Sequence, residues 1–260
     1  MENNSKLSTP VAILIVGVLI TAAILIVGFG DKSPQNQIIP VSDIAMTPID
    51  ASEDHILGSL DSKLHIVEYS DTECPYCKKY QLETASKIEK DYAIPGKVAL
   101  AYRPFPLEQL HAKAKKEAEA LECASELGGN DKFWQYLDKI FEVTPANDKL
   151  DPAELPKIAK DLGIDQKVFS ECLSSGKYAE KIDGFIQSGA EAGVEGTPHT
   201  IFIAKNKINQ KALDFVAEMI TTKKLPAELF TLSKDKKILS FSGALPYDDF
   251  VKKLIDLIIS

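Results

Sequence analysis

Residues 67–77 read VEYSDTECPYC, and this stretch decides the fold of the chain. Its two cysteines, Cys74 and Cys77, stand between an apolar, strand-like run at 64–69 and a helix-compatible run at 78–92. The unpaired N–H groups and the dipole at a helix N-terminus stabilise a thiolate. Cys74 is therefore predicted to be the exposed, acidic thiol of a redox pair, and Cys77 its less accessible partner.

A structural zinc site is the alternative chemistry for two cysteines at this spacing. Such a site needs two further ligands at a suitable distance along the chain. The other cysteines, Cys123 and Cys172, are isolated, and the four histidines form no paired motif. The sequence therefore favours a redox dithiol and predicts no metal site.

Length and charge limit the class of protein. The chain has 260 residues, 45% hydrophobic content and a net charge of −8. It is long enough to bury a sizeable core. Because it carries no surplus of basic residues, we expect no nucleic-acid partner.

One segment near the N-terminus has the length and composition of a membrane span. Residues 11–30 carry no charge, and a helix of about twenty residues spans about 30 Å, the thickness of a bilayer core. A cleaved signal peptide is the alternative, since Gly28 and Gly30 are small and Lys6 is basic. The apolar run is longer than the roughly 7–15 residues of a signal peptide's apolar region. We therefore favour an uncleaved transmembrane anchor that follows a short N-terminal segment, 1–10.

A linker is predicted between this anchor and the first strand-like run. Residues 31–54 are polar, show no sustained periodicity and contain Pro34, Pro40 and Pro48. An anchor and a signal peptide would both export the rest of the chain. Two separated cysteines in addition to the CxxC pair are typical of an oxidising compartment, so we expect the domain to face outward.

The pattern beyond the linker predicts an α/β domain that is interrupted by helices. It indicates strands at 64–69, 97–102, 199–203 and 237–241, helices throughout 107–193, and a C-terminal helix at 247–259. A helix separates the first two strands, so these should be parallel. Residues 205–236 are longer than a hairpin needs and are interpreted as an insertion of unknown purpose.

Several short motifs occur in order between residues 49 and 260. They are VEYSD (67–71) before CPYC (74–77), YRPFP (102–106), CA (123–124) with FW (133–134), CLSSG (172–176) and GVEGTP (193–198). These motifs resemble the DsbA-like branch of the thioredoxin superfamily, the exported or membrane-anchored thiol:disulfide oxidoreductases. The resemblance implies an α/β thioredoxin fold built from residues 55–104 and 194–260, with an inserted all-helical domain at 105–193.

The resemblance also implies a substrate-binding surface around the dithiol. Pro198 is expected to be a cis-proline that faces Cys74 and leaves the backbone of Thr197 open to an extended polypeptide. Pro75 and Tyr76, the residues between the two cysteines, are expected to belong to the same surface.

Glu68 is a candidate for proton transfer. It precedes Cys74 by six residues, the spacing at which this superfamily often keeps a buried acid beneath the second cysteine. A carboxyl group whose pKa is raised by burial could accept the proton of Cys77. Alternation along a strand does not settle which face Glu68 occupies, so an exposed strand residue is the alternative.

Cys123 and Cys172 fall in the predicted helical insert. A disulfide between two helices of the insert is the simplest account of the pair, and it would close a loop of about 50 residues. Two buried free thiols are the alternative.

These features predict a thiol:disulfide oxidoreductase that acts on cysteine-containing or unfolded exported proteins, with the Cys74–Cys77 disulfide as its redox group and no separate cofactor. A disulfide-donating oxidase is favoured. A disulfide isomerase or reductase of the cell envelope is the alternative, and a membrane-tethered chaperone or binding module is a third. The family implies a quinone-linked thiol oxidase of the membrane as redox partner. We expect a single-pass protein of the cell membrane with an extracytoplasmic catalytic domain, or a secreted protein after signal cleavage.

Overall fold

The computed structural model describes residues 38–223 and 225–260. The predicted anchor at 11–30 lies outside these residues, as do the segment 1–10 and the first part of the predicted linker. Within the described residues, the longest apolar helices all fall short of what is needed to cross a membrane.

The described residues form one mixed sheet with helices around it. The strands are β1 (Val41–Ser42), β2 (His55–Gly58), β3 (Leu64–Ser70), β4 (Ala99–Pro104), β5 (His199–Ala204), β6 (Phe230–Ser233) and β7 (Ile238–Ser242). The helices are α1 (75–93, with π-helical turns at Gln81–Ala85 and Glu89–Ala93), α2 (Ala114–Gly128), α3 (Asn130–Val143), α4 (Glu154–Asp161), α5 (Gln166–Ser175), α6 (Ala179–Glu191), α7 (Gln210–Thr222) and α8 (247–259, beginning with the π-helical turn Tyr247–Val251).

The sheet has seven strands in the order β1-β6-β7-β5-β3-β4-β2. Strand β3 is parallel to β4 and antiparallel to β5, so that Ile66 lies opposite Leu100 on one side and Phe202 on the other. Helix α1 connects β3 to β4. The predicted parallel βαβ unit is therefore confirmed.

The sheet carries a hydrophobic cluster on each face. Because side chains alternate along a strand, Leu64 and Ile66 of β3 belong to the larger cluster, together with residues of α1, α2, α3, α7 and α8. Val67 and Tyr69 belong to the smaller cluster on the opposite face. Glu68 follows the alternation and points to the same face as Ile66.

The predicted helical insert lies between β4 and β5 and consists of α2 to α6. A disulfide joins Cys123 in α2 to Cys172 in α5, with the two Cα atoms 5.9 Å apart. The predicted bridge is therefore present in place of two free thiols. Helix α5 begins after Asp165, whose carboxylate accepts hydrogen bonds from the N–H groups of Lys167 and Val168.

Residues 38–54 pack onto the domain, and this corrects the predicted linker at 31–54. Ile39 is buried, and β1 pairs with β6 at one edge of the sheet. Strand β2, which comes next in the sequence, pairs with β4 at the other edge. The domain therefore includes residues well before the predicted boundary at 55.

Residues 43–54 form a strap that runs across the sheet from one edge to the other. Ile44 and Ile49 of the strap pack against the smaller hydrophobic cluster. Its last residue, Asp54, accepts hydrogen bonds of 2.7 and 2.8 Å from the buried guanidinium group of Arg103. Widely spaced apolar residues among prolines show no periodicity, which is why the pattern indicated a linker.

The described residues of 205–236 are part of the core, which corrects their interpretation as an insertion of unknown purpose. They supply α7 and β6. Val216 of α7 is fully buried, and the rings of Phe230 in β6 and Phe241 in β7 lie with their centroids 6.5 Å apart. A strand of four residues shows too little alternation to be recognised from its sequence.

Candidate active site

The two cysteines lie where β3 gives way to α1. Strand β3 ends at Ser70 and α1 starts at Pro75, so Cys74 occupies the N-cap position of the helix. The N–H group of Cys74 donates to the carbonyl oxygen of Asp71, and the carbonyl oxygen of Cys74 accepts from the N–H group of Lys78. This turn holds Cys74 at the positive end of the helix dipole.

The predicted exposure of Cys74 is wrong, although the predicted order of accessibility holds. Cys74 is 5% exposed and Cys77 is fully buried. The carbonyl oxygen of Thr197 lies 3.5 Å from the Sγ atom of Cys74 and covers it on one side. The two residues between the cysteines, Pro75 and Tyr76, are exposed instead. A partner therefore meets these two side chains before it reaches the sulfur.

The two thiols differ in acidity. A hydrogen bond from the Cys77 thiol lowers the pKa of Cys74 to about 6, and the N–H groups of Cys77 and Tyr76 add to this effect against the opposing influence of burial. Burial raises the pKa of Cys77 well above its usual value, and the neighbouring Cys74 thiolate raises it further. At neutral pH, Cys74 is therefore mostly a thiolate and Cys77 is a thiol.

We expect the reduced protein to show one thiolate transition near pH 6 in its ultraviolet absorbance, where an ordinary thiol would titrate near 9.0. Because the folded-state pKa of Cys74 is the lower one, its stabilisation of the fold is complete above 9.0 and is lost as the pH falls through about 6. A Cys74→Ser variant should lack the transition, and the oxidised protein should lack it as well. A transition near the ordinary value in the reduced protein would contradict the assigned acidity.

The segment that follows the insert places a backbone carbonyl beside the dithiol. The peptide bond between Thr197 and Pro198 is cis. The carbonyl oxygen of Pro198 accepts a hydrogen bond of 2.8 Å from the N–H group of Gly243, just after β7. The structure thus brings Thr197 and Cys74 together, and the role of this segment in substrate binding stays a prediction.

Glu68 is buried, with 3% of its surface exposed, so it is not an exposed strand residue. In the sheet it lies between Tyr102 of β4 and Thr200 of β5. Burial raises the pKa of Glu68 to about 7. A carboxyl group with this pKa can take up or release a proton at neutral pH, while its role toward Cys77 stays a prediction.

Asp71, in the turn before Cys74, was not singled out from the sequence. Its carboxylate accepts hydrogen bonds of 2.8 Å from the N–H groups of Glu73 and Leu107, and it lies 2.9 Å from Nδ1 of His111. Asp71 therefore fixes the turn to the start of the helical insert. The available signal was an acidic residue directly after an apolar, strand-like run.

Glu73 provides a second connection to the insert and was also missed. It is fully buried, and its carboxylate accepts hydrogen bonds of 3.1 and 2.9 Å from the N–H groups of Lys149 and Leu150. Burial, with a smaller effect from the charge of Glu73, raises the pKa of Glu117 in α2 to about 8. Glu117 is therefore mostly neutral at pH 7.

The arrangement has the groups that disulfide exchange requires. It offers a nucleophilic thiolate at Cys74, a second thiol at Cys77, a titratable carboxyl group at Glu68 and a backbone acceptor at Thr197. Across residues 38–223 and 225–260, no cluster of histidine, cysteine, aspartate and glutamate side chains is arranged to hold a metal ion.

Curated relatives share the domain but are much longer proteins. The chain is 33% identical over 158 residues to Na(+)/H(+) antiporter NhaA 3 of Salinispora tropica, a match that covers 61% of this chain and 22% of that protein. It is 28% identical over 166 residues to NhaA 1 of Mycolicibacterium vanbaalenii, which covers 63% of this chain and 25% of that protein. The chain thus spans about a quarter or less of the length of these relatives.

Solved structures show the same fold. Alpha-DsbA1 of Wolbachia pipientis superposes with a TM-score of 0.60 over 82% of this chain and 92% of that one, at 19% identity. BdbD of Bacillus subtilis, in its oxidised form, superposes with a TM-score of 0.56 over 69% of this chain and 97% of that one, at 24% identity. A family model described as Thioredoxin matches residues 50–221. The chain therefore belongs to the thioredoxin family, and its fold is similar to that of these two structures.

Proposed function

We propose that this protein is a thiol:disulfide oxidoreductase that exchanges disulfides with other polypeptides through Cys74 and Cys77. The observation that carries the proposal is the difference in acidity between two thiols at one helix N-terminus. A pKa of about 6 makes Cys74 a thiolate at neutral pH, and such a sulfur is also a good leaving group. Cys77 keeps its proton and is placed to resolve a mixed disulfide.

The exchange begins when a substrate thiolate attacks the Sγ atom of Cys74 in the oxidised protein. A bond forms between these two sulfur atoms as the Cys74–Cys77 bond breaks, and Cys77 leaves with the electron pair and takes up a proton. A second substrate thiolate then attacks the substrate sulfur of the mixed disulfide and releases Cys74 as a thiolate. Two substrate thiols have become a disulfide, and the protein holds a reduced dithiol.

The proposed direction is oxidation of the substrate. A stabilised Cys74 thiolate favours the reduced form of the protein, and a protein whose reduced form is stabilised is a strong oxidant. The DsbA-like fold is consistent with that direction. A disulfide isomerase or reductase is the alternative, and it requires a more stable Cys74–Cys77 disulfide.

The proposed substrates are cysteine-containing proteins outside the cytoplasm, and the proposed place of the domain is the extracytoplasmic side of the cell membrane. The Cys123–Cys172 disulfide supports this, because such bonds persist in oxidising compartments. The uncharged run at 11–30 supports a membrane anchor. A quinone-linked thiol oxidase is proposed as the electron acceptor on the family resemblance alone.

The reduction potential of the Cys74–Cys77 pair tests the proposed direction. The pair is equilibrated in glutathione buffers, and mass spectrometry of alkylated peptides separates it from the Cys123–Cys172 bridge. We expect a potential near about −120 mV, the value of a strong protein oxidant. A potential near about −270 mV would assign the protein to reduction. A pair that does not equilibrate with glutathione would argue against exchange altogether.

A further inference from the structure

Ser70 lies along β3 between Glu68 and the buried sulfur of Cys77. Side chains two residues apart on a strand share a face, so Ser70 and Glu68 point the same way. They are 1% and 3% exposed. The N–H group of Asp71, the next residue, donates to the Sγ atom of Cys77 at 3.5 Å. The Sγ atom of Cys77 therefore lies just past the end of β3, and Ser70 lies between it and Glu68.

Direct contact between Glu68 and Cys77 would have to bridge a considerable length of strand. At about 3.3 Å per residue, the backbone of Glu68 is about 10 Å from that of Asp71. The hydroxyl group of Ser70 stands in this interval. Its polar contact with the Glu68 carboxyl and with the Cys77 thiol lowers both pKa values, against the larger opposing effect of burial.

The Ser70 hydroxyl also contacts the hydroxyl group of Tyr102. In the described part of the chain, neither Ser70 Oγ nor Glu68 Oε1 has a hydrogen-bond partner of normal geometry, although both atoms are buried. Two further hydroxyl residues lie opposite Glu68 in the neighbouring strands. Thr200 donates to the hydroxyl oxygen of Tyr80 at 3.0 Å, whereas the hydroxyl group of Tyr102 has no partner of normal geometry in the described residues. A buried polar atom without a partner is destabilising, and it calls for an explanation in function.

We propose that Ser70 relays the proton between Cys77 and Glu68, an inference that rests on the proposed exchange function. When Cys77 attacks a mixed disulfide at Cys74, its thiol proton passes to the Ser70 oxygen. The hydroxyl proton of Ser70 passes to the Glu68 carboxylate. A bond forms between the two cysteine sulfurs, and the other sulfur of the mixed disulfide leaves with the electron pair. In the opposite direction, the same path returns the proton to Cys77 as it leaves.

A chromogenic aromatic disulfide separates this step from the initial attack. The reduced protein should release one coloured thiol when Cys74 attacks and a second when Cys77 resolves the mixed disulfide. In Ser70→Ala, the first phase should be unchanged and the second about tenfold slower at pH 7, because an acid–base pathway is lost. The wild-type second phase should rise as the pH passes about 7, the pKa of Glu68, and the variant should lack this rise.

Two comparisons make the test specific. Tyr102→Phe removes a second buried hydroxyl on the strand next to Glu68, one that contacts Ser70. Because the proposed relay runs through the Ser70 oxygen, this variant should leave both phases unchanged. If Ser70 and Glu68 act in one path, Ser70→Ala should slow the second phase no further in a Glu68→Gln background. Unfolding midpoints show whether each variant keeps its fold.

Three results would overturn the relay. The first is a normal second phase in Ser70→Ala, and the second is an equal slowing of that phase in Tyr102→Phe. The third is a slowing by Ser70→Ala that is as large in the Glu68→Gln background as in the wild-type protein. Failure of the proposed function itself looks different. In that case, the wild-type protein would release no coloured thiol in the first phase.

Discussion

Replacing Cys74 with serine should abolish exchange with protein substrates. A serine hydroxyl is not ionised at neutral pH, whereas the pKa of Cys74 is about 6, and an oxygen cannot form the mixed disulfide on which the reaction depends. The measurements are reduction of insulin and recovery of activity by a substrate with scrambled disulfides. Both should fall to the rate seen without the protein.

Cys77→Ser is the matched control, because it removes a sulfur from the same turn and keeps the thiolate that attacks. This variant should still form a mixed disulfide with substrate and should then accumulate it, since the resolving thiol is gone. Full activity in Cys74→Ser would rule out the dithiol mechanism. Recovery of the scrambled substrate by Cys74→Ser without insulin reduction would favour a chaperone or binding module on the same fold.

Loss of the Cys123–Cys172 bridge should destabilise the domain by about 4 kcal/mol in the chain-entropy model, given the 49-residue separation of the two cysteines. The bridge joins α2 to α5, so its loss frees the helical insert more than the sheet. The measurement is urea unfolding of a Cys123→Ala/Cys172→Ala variant, followed by the circular dichroism of the whole domain.

A Cys74→Ser/Cys77→Ser background provides the control, because there a reductant acts on the bridge alone. Unfolding midpoints with and without reductant should differ in this background. They should coincide once Cys123 is also replaced. A variant without the bridge that unfolds at the wild-type urea concentration would show that packing of the insert already suffices.

The dithiol turn could be predicted because the residues that form it are neighbours in the sequence. A strand-like run, two cysteines three residues apart and a helix-compatible run are continuous in the sequence, and the structure has β3, Cys74 and α1 in that order. The parallel pairing of β3 with β4 follows from the helix between them.

Contacts between distant segments could not be predicted in the same way. The burial of Cys74 depends on Thr197, which is 123 residues away. Glu73 can be buried because hydrogen bonds from the N–H groups of Lys149 and Leu150 replace those that its carboxylate would make with water. From the sequence alone, an isolated glutamate in a turn is expected to be exposed. Glu68 was placed on a strand correctly, but only the packed sheet decided which face it occupies.

The two edges of the sheet are completed at different times while the chain is being synthesised. Strand β1 is among the first parts of the domain to be made, yet its partner Leu232 in β6 follows Val41 by about 190 residues, which at about 5–20 residues per second takes about 10–40 s. All four cysteines, the last of them Cys172, leave the ribosome within that interval. Any disulfide that forms during synthesis therefore forms while the sheet still lacks one edge, and Cys74 and Cys77 compete with Cys123 and Cys172 for it.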